Sequence, residues 1–336
     1  MTSAPTTTAL PVRITGIGCY LPSRIVTNAE LESQLGLEPG WIFDRTGVRE
    51  RRRCTGESAA MMAAAAARDA LVMAGLDARD LTAIIGASST PQQAIPCTAV
   101  FVQRELGAPE GATACFDVNA TCLSFLAALD VAARLVCGGA HRHVLVFSSE
   151  NAGRSLNPDE PESAVLFGDA AAAVVVSPAS GTGSALHGVH LRTWHSGAEL
   201  SQIRGGGTLH HPNDPATTRG DNLFAMRGPS LFRKAAPLLL PFIDGVCDGA
   251  GWTRSDIAAV VPHQASRHGI ELGWKRLGFR EEQVITNLAT RGNCIAASIP
   301  LAFAESIAAG RIVRGDRVLL FGLAAGLSLG GCAITY

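Results

Sequence analysis

The segment Asp80-Leu-Thr-Ala-Ile-Ile-Gly86 reads like Asp256-Ile-Ala-Ala-Val-Val-Pro262. His143-Val-Leu-Val-Phe147 reads again as Arg317-Val-Leu-Leu-Phe321. Asp80 and Asp256 lie 176 residues apart, and His143 and Arg317 lie 174 apart. Two apolar strands repeated at nearly one offset point to a duplicated βα unit with a small length change in a loop. Chance likeness of apolar strands is the competing account.

Short apolar runs alternate with longer helical runs along the whole chain, which is the α/β pattern. Strands are expected at Val12–Cys19, Thr82–Ser89, Ala114–Val118, His143–Ser149 and Ala171–Val176. In the second half they are expected at Ala185–Thr193, Ile257–Val261, Val284–Thr286, Arg317–Leu323 and Cys332–Thr335. Helices are expected over Ser58–Ala74, Ser124–Cys137, Ser266–Leu277 and Ile295–Ala309. The organisation read from this is a Thr/Ala/Pro-rich, disordered N-terminus over 1–10, one half over 11–180 and a second over 181–336. Several strands are apolar throughout, as in sheets covered on both faces.

The 336 residues are 47% hydrophobic and only 17% charged, so much surface is buried, with room for a subunit interface. Disorder and a disulfide mini-scaffold are excluded. A net charge of −1 argues against a nucleic-acid binder, which is normally basic. The uncharged stretches Leu81–Gln103 and Val318–Tyr336 are broken by proline or glycine, so they read as strands and turns rather than a membrane span. The first basic residue is Arg13, which leaves no charged region for a secretory signal. Nine scattered cysteines without such a signal suit a reducing cytoplasm, and none has zinc spacing.

The duplication places chemistry. Strand 114–118 leads through Asn119-Ala120-Thr121-Cys122 into an apolar helix, and strand 284–286 leads through Arg291-Gly292-Asn293-Cys294 into another. His263 stands at the carboxyl end of strand 257–261. Ligands of open α/β sheets bind outside the carboxyl ends of strands, so Cys122, His263 and Asn293 are expected to converge on one cleft. A thiol at a helix start is stabilised as a thiolate, the nucleophile of thioester or amide chemistry. The alternative is a small buried residue in a tight turn. His263 activates a thiol or donates a hydrogen bond, or is a core histidine bonded to backbone. Asn293 is a helix cap by habit, yet its amide can also donate to an oxyanion. The Gly-rich Gly322–Gly331 stretch follows a strand and can bring backbone N–H groups to a reacting carbonyl.

Six stretches together resemble the β-ketoacyl-acyl-carrier-protein synthase III group of the thiolase superfamily. They are Gly16-Ile-Gly-Cys-Tyr-Leu-Pro22, Trp41-Ile-Phe-Asp-Arg-Thr-Gly-Val-Arg-Glu-Arg51, Phe116-Asp-Val-Asn-Ala-Thr-Cys122, Phe167-Gly-Asp-Ala-Ala-Ala-Ala173, Val261-Pro-His-Gln-Ala265 and Gly292-Asn-Cys-Ile-Ala-Ala-Ser-Ile-Pro300. Each is weak alone; six in the family's order are specific, and the resemblance runs from Val12 to Tyr336.

The resemblance implies two fused βαβαβαββ halves in five αβαβα layers, a homodimer, and no cofactor beyond acyl-CoA or acyl-carrier and malonyl-carrier substrates. It implies that Cys122 takes the acyl group, that His263 and Asn293 stabilise the enolate formed as CO2 leaves, and that the backbone of Cys122 and Ala325 forms an oxyanion hole. Substrate and pantetheine contacts map to Trp41, Arg45, Phe167, Met226, Gly228, Phe232, Ala265 and Ser266. Ile95 maps to the acyl pocket, and Arg233, His268, Lys275 and Arg276 map to the surface that docks an acyl carrier protein. Departures are informative. Ala325 stands where glycine is usual, which restricts positive φ. Pro161 stands where an arginine usually stacks on adenine, which favours a carrier-bound donor over coenzyme A. Thr121 and Leu123 crowd the nucleophile, and aliphatic Ile95 leaves room for a longer or branched acyl group.

Two rival functions follow from the same residues. One is an acyltransferase that uses Cys122 but passes the acyl group to an alcohol or amine. The other is a papain-like thiol hydrolase, which also orders Cys, His and Asn; the papain-like signature around the cysteine is absent.

Overall fold

The computed structural model describes residues 9–336. The first half runs β1 (Val12–Tyr20), β2 (Arg24–Thr27), α1 (Asn28–Leu35), α2 (Trp41–Thr46), β3 (Glu50–Arg53), α3 (Ala59–Ala74), β4 (Ala83–Gly86), α4 (Thr98–Leu106), β5 (Ala114–Asp117), α5 (Ser124–Cys137), β6 (Val144–Glu150), α6 (Pro161–Ala164) and β7 (Ala170–Pro178). The second runs β8 (Ala185–Thr193), β9 (Ser201–Gln202), β10 (Ala225–Met226), α7 (Gly228–Ala250), β11 (Ala259–Pro262), α8 (Arg267–Leu277), α9 (Leu288–Arg291), α10 (Ser298–Ala308), β12 (Arg317–Ala324) and β13 (Ser328–Thr335).

The duplication reappears in the sheets. The first is ordered β1-β7-β6-β4-β5 and the second β8-β13-β12-β11. In the first, β4 is parallel to both β5 and β6, while β6 is antiparallel to β7 and β7 to β1. In the second, β11 is parallel to β12, while β12 is antiparallel to β13 and β13 to β8. Gly86 pairs with Phe147 and Pro262 with Phe321, so the repeated sequence segments occupy equivalent places.

Five layers result. α3 and α4 cover the outer face of the first sheet, burying Ala63, Ala67, Ala70 and Val102 against Ile84, Leu145 and Val175. α7 and α8 cover the outer face of the second, burying Phe242, Val246 and Leu277 against Val260, Leu319 and Leu329. α5 and α10 lie between the sheets, where Phe125, Leu129 and Phe303 share one core with Val146, Val174, Val261 and Leu320. α3 lies unusually close to β1 because both surfaces are small: a Cβ on Gly16 would stand 1.9 Å from the Ala70 carbonyl oxygen, and one on Gly18 2.3 Å from that of Ala66.

Several expectations are corrected. Leu10 is ordered, exchanging two backbone hydrogen bonds with Leu186, because β8 offers it an edge; residues 1–8 of the expected disordered terminus lie outside the described residues. Residues 284–286 form no strand. A single parallel bridge, Val284 with Val260, marks where the fifth strand of the repeat would lie. The last strand begins earlier than expected, at Ser328 rather than Cys332, because Gly330 pairs with Gly322 and Gly331 with Phe321 in the β12–β13 hairpin. α7 was unforeseen, since Pro237 and Pro241 lie inside it. An apolar face packed on β8 and β13 outweighs the helix-breaking tendency of proline.

The close approach of β1 to α3 generates a test. Gly18→Ala places a methyl group against backbone that cannot give way, and it should lower the unfolding free energy by about 3 kcal/mol. Urea denaturation checks this; a loss below 0.5 kcal/mol, about the level of a neutral surface change, would refute the contact.

Candidate active site

Cys122 sits two residues ahead of α5, in a turn rather than in the helix. Thr121 before it has φ +53, a conformation that non-glycine residues rarely adopt, and its N–H bonds the Asn119 side chain at 2.8 Å. Ser124 locks the turn by accepting from the Ala120 N–H at 2.9 Å and donating to the Thr121 carbonyl at 2.7 Å. The turn reaches the other half through the Thr121 hydroxyl, which donates to the Ala325 carbonyl at 3.4 Å.

The backbone N–H groups of Cys122 and Ala325 favour the ionised form of the Cys122 sulfur. Ala325 lies at the tip of the β12–β13 hairpin, and positive φ there falls on Gly326 and Leu327 instead. The alanine therefore keeps its N–H in place without the freedom of a glycine.

The thiol is no ready thiolate. Burial raises its pKa to about 12, and the Glu150 carboxylate adds to the rise, while the two N–H groups lower it. The dipole of α5 was expected to prevail; the low polarity of the pocket and a nearby negative charge outweigh it.

His263 is held at the end of β11 by its backbone N–H, which donates to Phe321 at 2.8 Å. Burial lowers its pKa to about 4, so the ring is neutral around pH 7. Nδ1 is buried with no hydrogen-bond partner among the described residues. The ring packs across β12 from the nucleophile's turn: a Cβ on Gly322 would meet the His263 Cβ at 2.8 Å and the Leu123 Cδ2 at 3.2 Å. Only glycine at 322 lets the two approach.

Asn293 is buried and joins the halves. Its N–H donates to the Leu166 carbonyl at 2.8 Å, and its carbonyl accepts from the Gly168 N–H at 3.0 Å. Its side-chain Oδ1 accepts from the Ile295 N–H at 2.9 Å, which directs the two Nδ2 hydrogens the other way, as donors. Asn293 thus has the side-chain turn of a cap and a free donor as well.

The other expected residues sort into groups. Phe167 is bridged to Asn293, stacks edge-on with Phe224 at 5.0 Å and packs with Met226 and Ile295, so it and Met226 lie beside the donor pair. Gly228 opens α7 just beyond Met226. Trp41 carries Arg45 over its ring at 5.6 Å, and Arg45 pairs with Glu162 at 3.6 Å. Ser266 caps α8 by accepting from Gly269, and Ala265 precedes it, exposed. Phe232, Arg233 and Arg276 line an apolar groove between α7 and α8. His268 faces Phe232 at 6.4 Å, and Lys275 lies over Trp274. Ile95 stands apart: it is 84% exposed, so its own chain encloses it in no acyl pocket. The reading from sequence missed Glu150 altogether. Its one signal was a carboxylate closing an otherwise uncharged strand, Val144-Leu-Val-Phe-Ser-Ser-Glu150.

Comparison with known proteins gives the same grouping. The family description 3-oxoacyl-[acyl-carrier-protein] synthase III matches residues 116–194, and its C-terminal counterpart matches residues 247–336. The chain is 38% identical over 325 residues to a β-ketoacyl-[acyl-carrier-protein] synthase III of Thiobacillus denitrificans, covering 96% of this chain and 99% of that one. The crystal structure of 3-oxoacyl-[acyl-carrier-protein] synthase III from Aquifex aeolicus superposes with a TM-score of 0.88 at 33% identity, over 97% of this chain and all of that one. The priming β-ketosynthase of the R1128 polyketide pathway superposes with a TM-score of 0.89 at 31% identity, over 98% and 97% of the two chains. With near-complete coverage, a shared duplicated fold and the Cys, His and Asn stretches all in place, the chain belongs to the β-ketoacyl-[acyl-carrier-protein] synthase III family of the thiolase superfamily.

Proposed function

We propose that the protein condenses an acyl thioester with malonyl-[acyl-carrier protein], with loss of CO2, through an acyl group held on Cys122. The observation that carries the reading is the hydrogen bond from the Thr121 hydroxyl to the Ala325 carbonyl, which sets the tip of the β12–β13 hairpin against the turn of Cys122. There the N–H groups of Cys122 and Ala325 would meet an oxyanion formed on an attacked carbonyl.

In the first step the Cys122 sulfur attacks the thioester carbonyl. The carbonyl electrons move to oxygen, between the two N–H groups, and return as the donor thiol leaves with the thiol proton. In the second, the bond from the malonyl α-carbon to its carboxylate breaks and CO2 departs. The electron pair becomes an enolate, which neutral His263 and the Asn293 amide stabilise by donating hydrogen bonds. The carbanion then attacks the acyl-Cys122 carbonyl, the C–S bond breaks, and a 3-ketoacyl thioester leaves with the sulfur restored. Decarboxylation supplies the carbanion without a strong base, so a histidine that cannot be protonated near pH 7 is suited to the task. The rival transfer to an alcohol or amine needs no enolate stabiliser, so the presence of both His263 and Asn293 favours condensation.

The donor is proposed to be carrier-bound. Pro161 stands where the family resemblance places an arginine on the nucleotide, and Glu162 beside it pairs with Arg45. Arg233, His268, Lys275 and Arg276 on α7 and α8 favour an acidic carrier protein. Two copies of the chain are proposed to pair along β5. That strand ends the first sheet with one edge unpaired among the described residues, and exposed Ile95 lies on the loop leading into α4, whose first N–H groups bond Asp117 of β5. The nine cysteines are all unpaired, which supports a reducing cytoplasm. Among the described residues no helix is long and apolar enough to cross a membrane.

Three outcomes are expected. Intact mass after exposure to acyl-carrier thioesters should show an adduct that Cys122→Ala abolishes and that malonyl-carrier discharges as 3-ketoacyl product with CO2. An adduct that leaves only on an alcohol or amine would establish the rival transferase, and no adduct would refute the assignment. Second, the His263 imidazole resonance, assigned by comparison with His263→Asn, should not titrate between pH 8 and 5.5, because its pKa lies near 4. A midpoint near the ordinary value of about 6.5 would show the ring open to water. Third, Glu162→Gln should free Arg45 and lower KM for acyl-CoA up to about fivefold, the worth of an exposed ion pair near 1 kcal/mol, with kcat unchanged. An unchanged KM would mean that Arg45 takes no part in nucleotide binding.

A further inference from the structure

Gly322 and Gly330 face each other across the β12–β13 ladder. Side chains opposite one another in an antiparallel pair share one face of the sheet, so two opposed glycines leave a notch in that face. Leu123 fills the notch. A Cβ on Gly330 would stand 2.9 Å from the Leu123 Cδ2 and 3.0 Å from its Cδ1, and one on Gly322 would stand 3.2 Å from the same Cδ2. Leu123 is fully buried and directly follows Cys122. Its N–H donates to the Ala120 carbonyl at 3.1 Å, and its own carbonyl accepts from the Ala127 N–H at 3.1 Å. The backbone of Leu123 is therefore fixed on the nucleophile's turn while its side chain is seated in the hairpin. The space beside Gly322 is bounded further by the His263 Cβ at 2.8 Å and by Cδ1 of Ile299, on α10, at 3.6 Å. The residue after the thiol, the histidine and the helix that follows Asn293 thus meet at one missing side chain. Thr121, on the other side of Cys122, reaches the tip of the same hairpin through its bond to the Ala325 carbonyl.

We propose that Leu123 is a positioning residue: seated in the Gly322–Gly330 notch, it fixes how far the β12–β13 hairpin stands from the Cys122 turn, and so places the Ala325 N–H and His263 for the reaction at Cys122. The proposal rests on the reading of Cys122 as the residue that carries the acyl group. Glycine in a strand interior weakens the strand, and two opposed glycines weaken it twice. The filled notch offsets that loss. Its far side is closed by Leu191, whose Cδ2 would lie 3.0 Å from a Cβ on Gly330, so the leucine is gripped rather than merely covered. Close-packed interiors pass a displacement on instead of absorbing it. Truncating Leu123 leaves a hole into which the hairpin settles. A misplacement of about 1 Å in a reacting or stabilising group is enough to cost about a hundredfold in rate.

The test compares two reactions of one sulfur, both read by peptide mass at Cys122. Acylation by the acetyl and butyryl thioesters of N-acetylcysteamine passes through an oxyanion and needs the Ala325 N–H. Alkylation by iodoacetamide displaces iodide from a saturated carbon, forms no oxyanion and needs only the thiol. In Leu123→Ala the ratio of acylation to alkylation rates should fall about tenfold to a hundredfold. Leu123→Met, close to leucine in volume, should restore the ratio. A leucine that only stabilises the fold would move both rates together, and an unchanged ratio in an enzyme whose wild type is acylated overturns this proposal alone. No acyl adduct in the wild type would overturn the reading of Cys122 and this proposal with it. The notch is tested separately by thermal unfolding. Gly330→Ala should lower Tm by about 5 °C in the wild type, the effect of overpacking, and by less than about 1 °C in Leu123→Ala, where the methyl group enters the vacated space. An equal loss in both backgrounds overturns the seating of Leu123. Should Leu123→Ala not fold, Leu123→Val, one carbon shorter, carries both comparisons with the same signs.

Discussion

Two backbone hydrogen bonds, Asn293 to Leu166 and Gly168 to Asn293, hold the halves of this molecule in register at the site. Everything else at the cleft depends on how close the two chains come there. A Cβ on Gly168 would stand 2.0 Å from the Arg291 carbonyl oxygen, and one on Gly292, itself at φ +68, would stand 2.6 Å from that of Leu166. Glycine at both positions is the condition for the bridge. The bridge in turn sets Phe167 beside Asn293 and brings Met226 into the same cluster.

The seam is also where charge is buried. Arg51 is fully enclosed beneath the two glycines and donates to the Val26 and Val165 carbonyls and to Asn28. Asp169, 1% exposed, accepts from the N–H groups of Cys54, Ala152 and Gly153 and pairs with Arg53 at 3.5 Å. Such groups are costly to bury and strongly destabilising to leave unpaired, so each fixes the backbone that satisfies it. Arg51 fixes the carbonyl of residue 165, and Asp169 fixes the N–H groups of residues 54, 152 and 153. The stretch from Leu166 to Gly168 that bonds Asn293 is thus flanked in sequence by Val165, bonded to one buried ion, and Asp169, itself another.

The sheets were legible in the sequence because their strands are apolar throughout and occur twice; β8 and α5 match the expected bounds in full. α7 was hidden by its prolines, because a local rule cannot register the apolar face that a second sheet will cover. The places of Cys122 after β5 and of His263 after β11 were likewise legible from topology. The proton affinity of the thiol was not. A helix start is visible in sequence, but the burial that raises the thiol's pKa exists only once the elements around it have packed together. The displaced glycine at the hairpin tip was hidden for a similar reason: Ala325 looks restrictive until the turn assigns positive φ to its two successors.

The duplication explains how one site acquires opposed chemistries. By the strand pairing, Gly86 is equivalent to Pro262 and Phe147 to Phe321, so His263 answers to Ala87 and Ala324 answers to Glu150. The turn that carries Cys122 after β5 answers to the turn that carries Asn293 after the Val284 bridge. At two of these three pairs the first half places an electron-rich group, the Cys122 thiol or the Glu150 carboxylate. The other half places a donor: the Asn293 amide opposite the thiol's turn, and the hairpin ending in the Ala325 N–H opposite Glu150. A single half would hold either a nucleophile without an oxyanion hole or donors without a nucleophile. Condensation needs both within one cleft, and the seam at Asn293 is where the two halves are hydrogen-bonded to each other beside it.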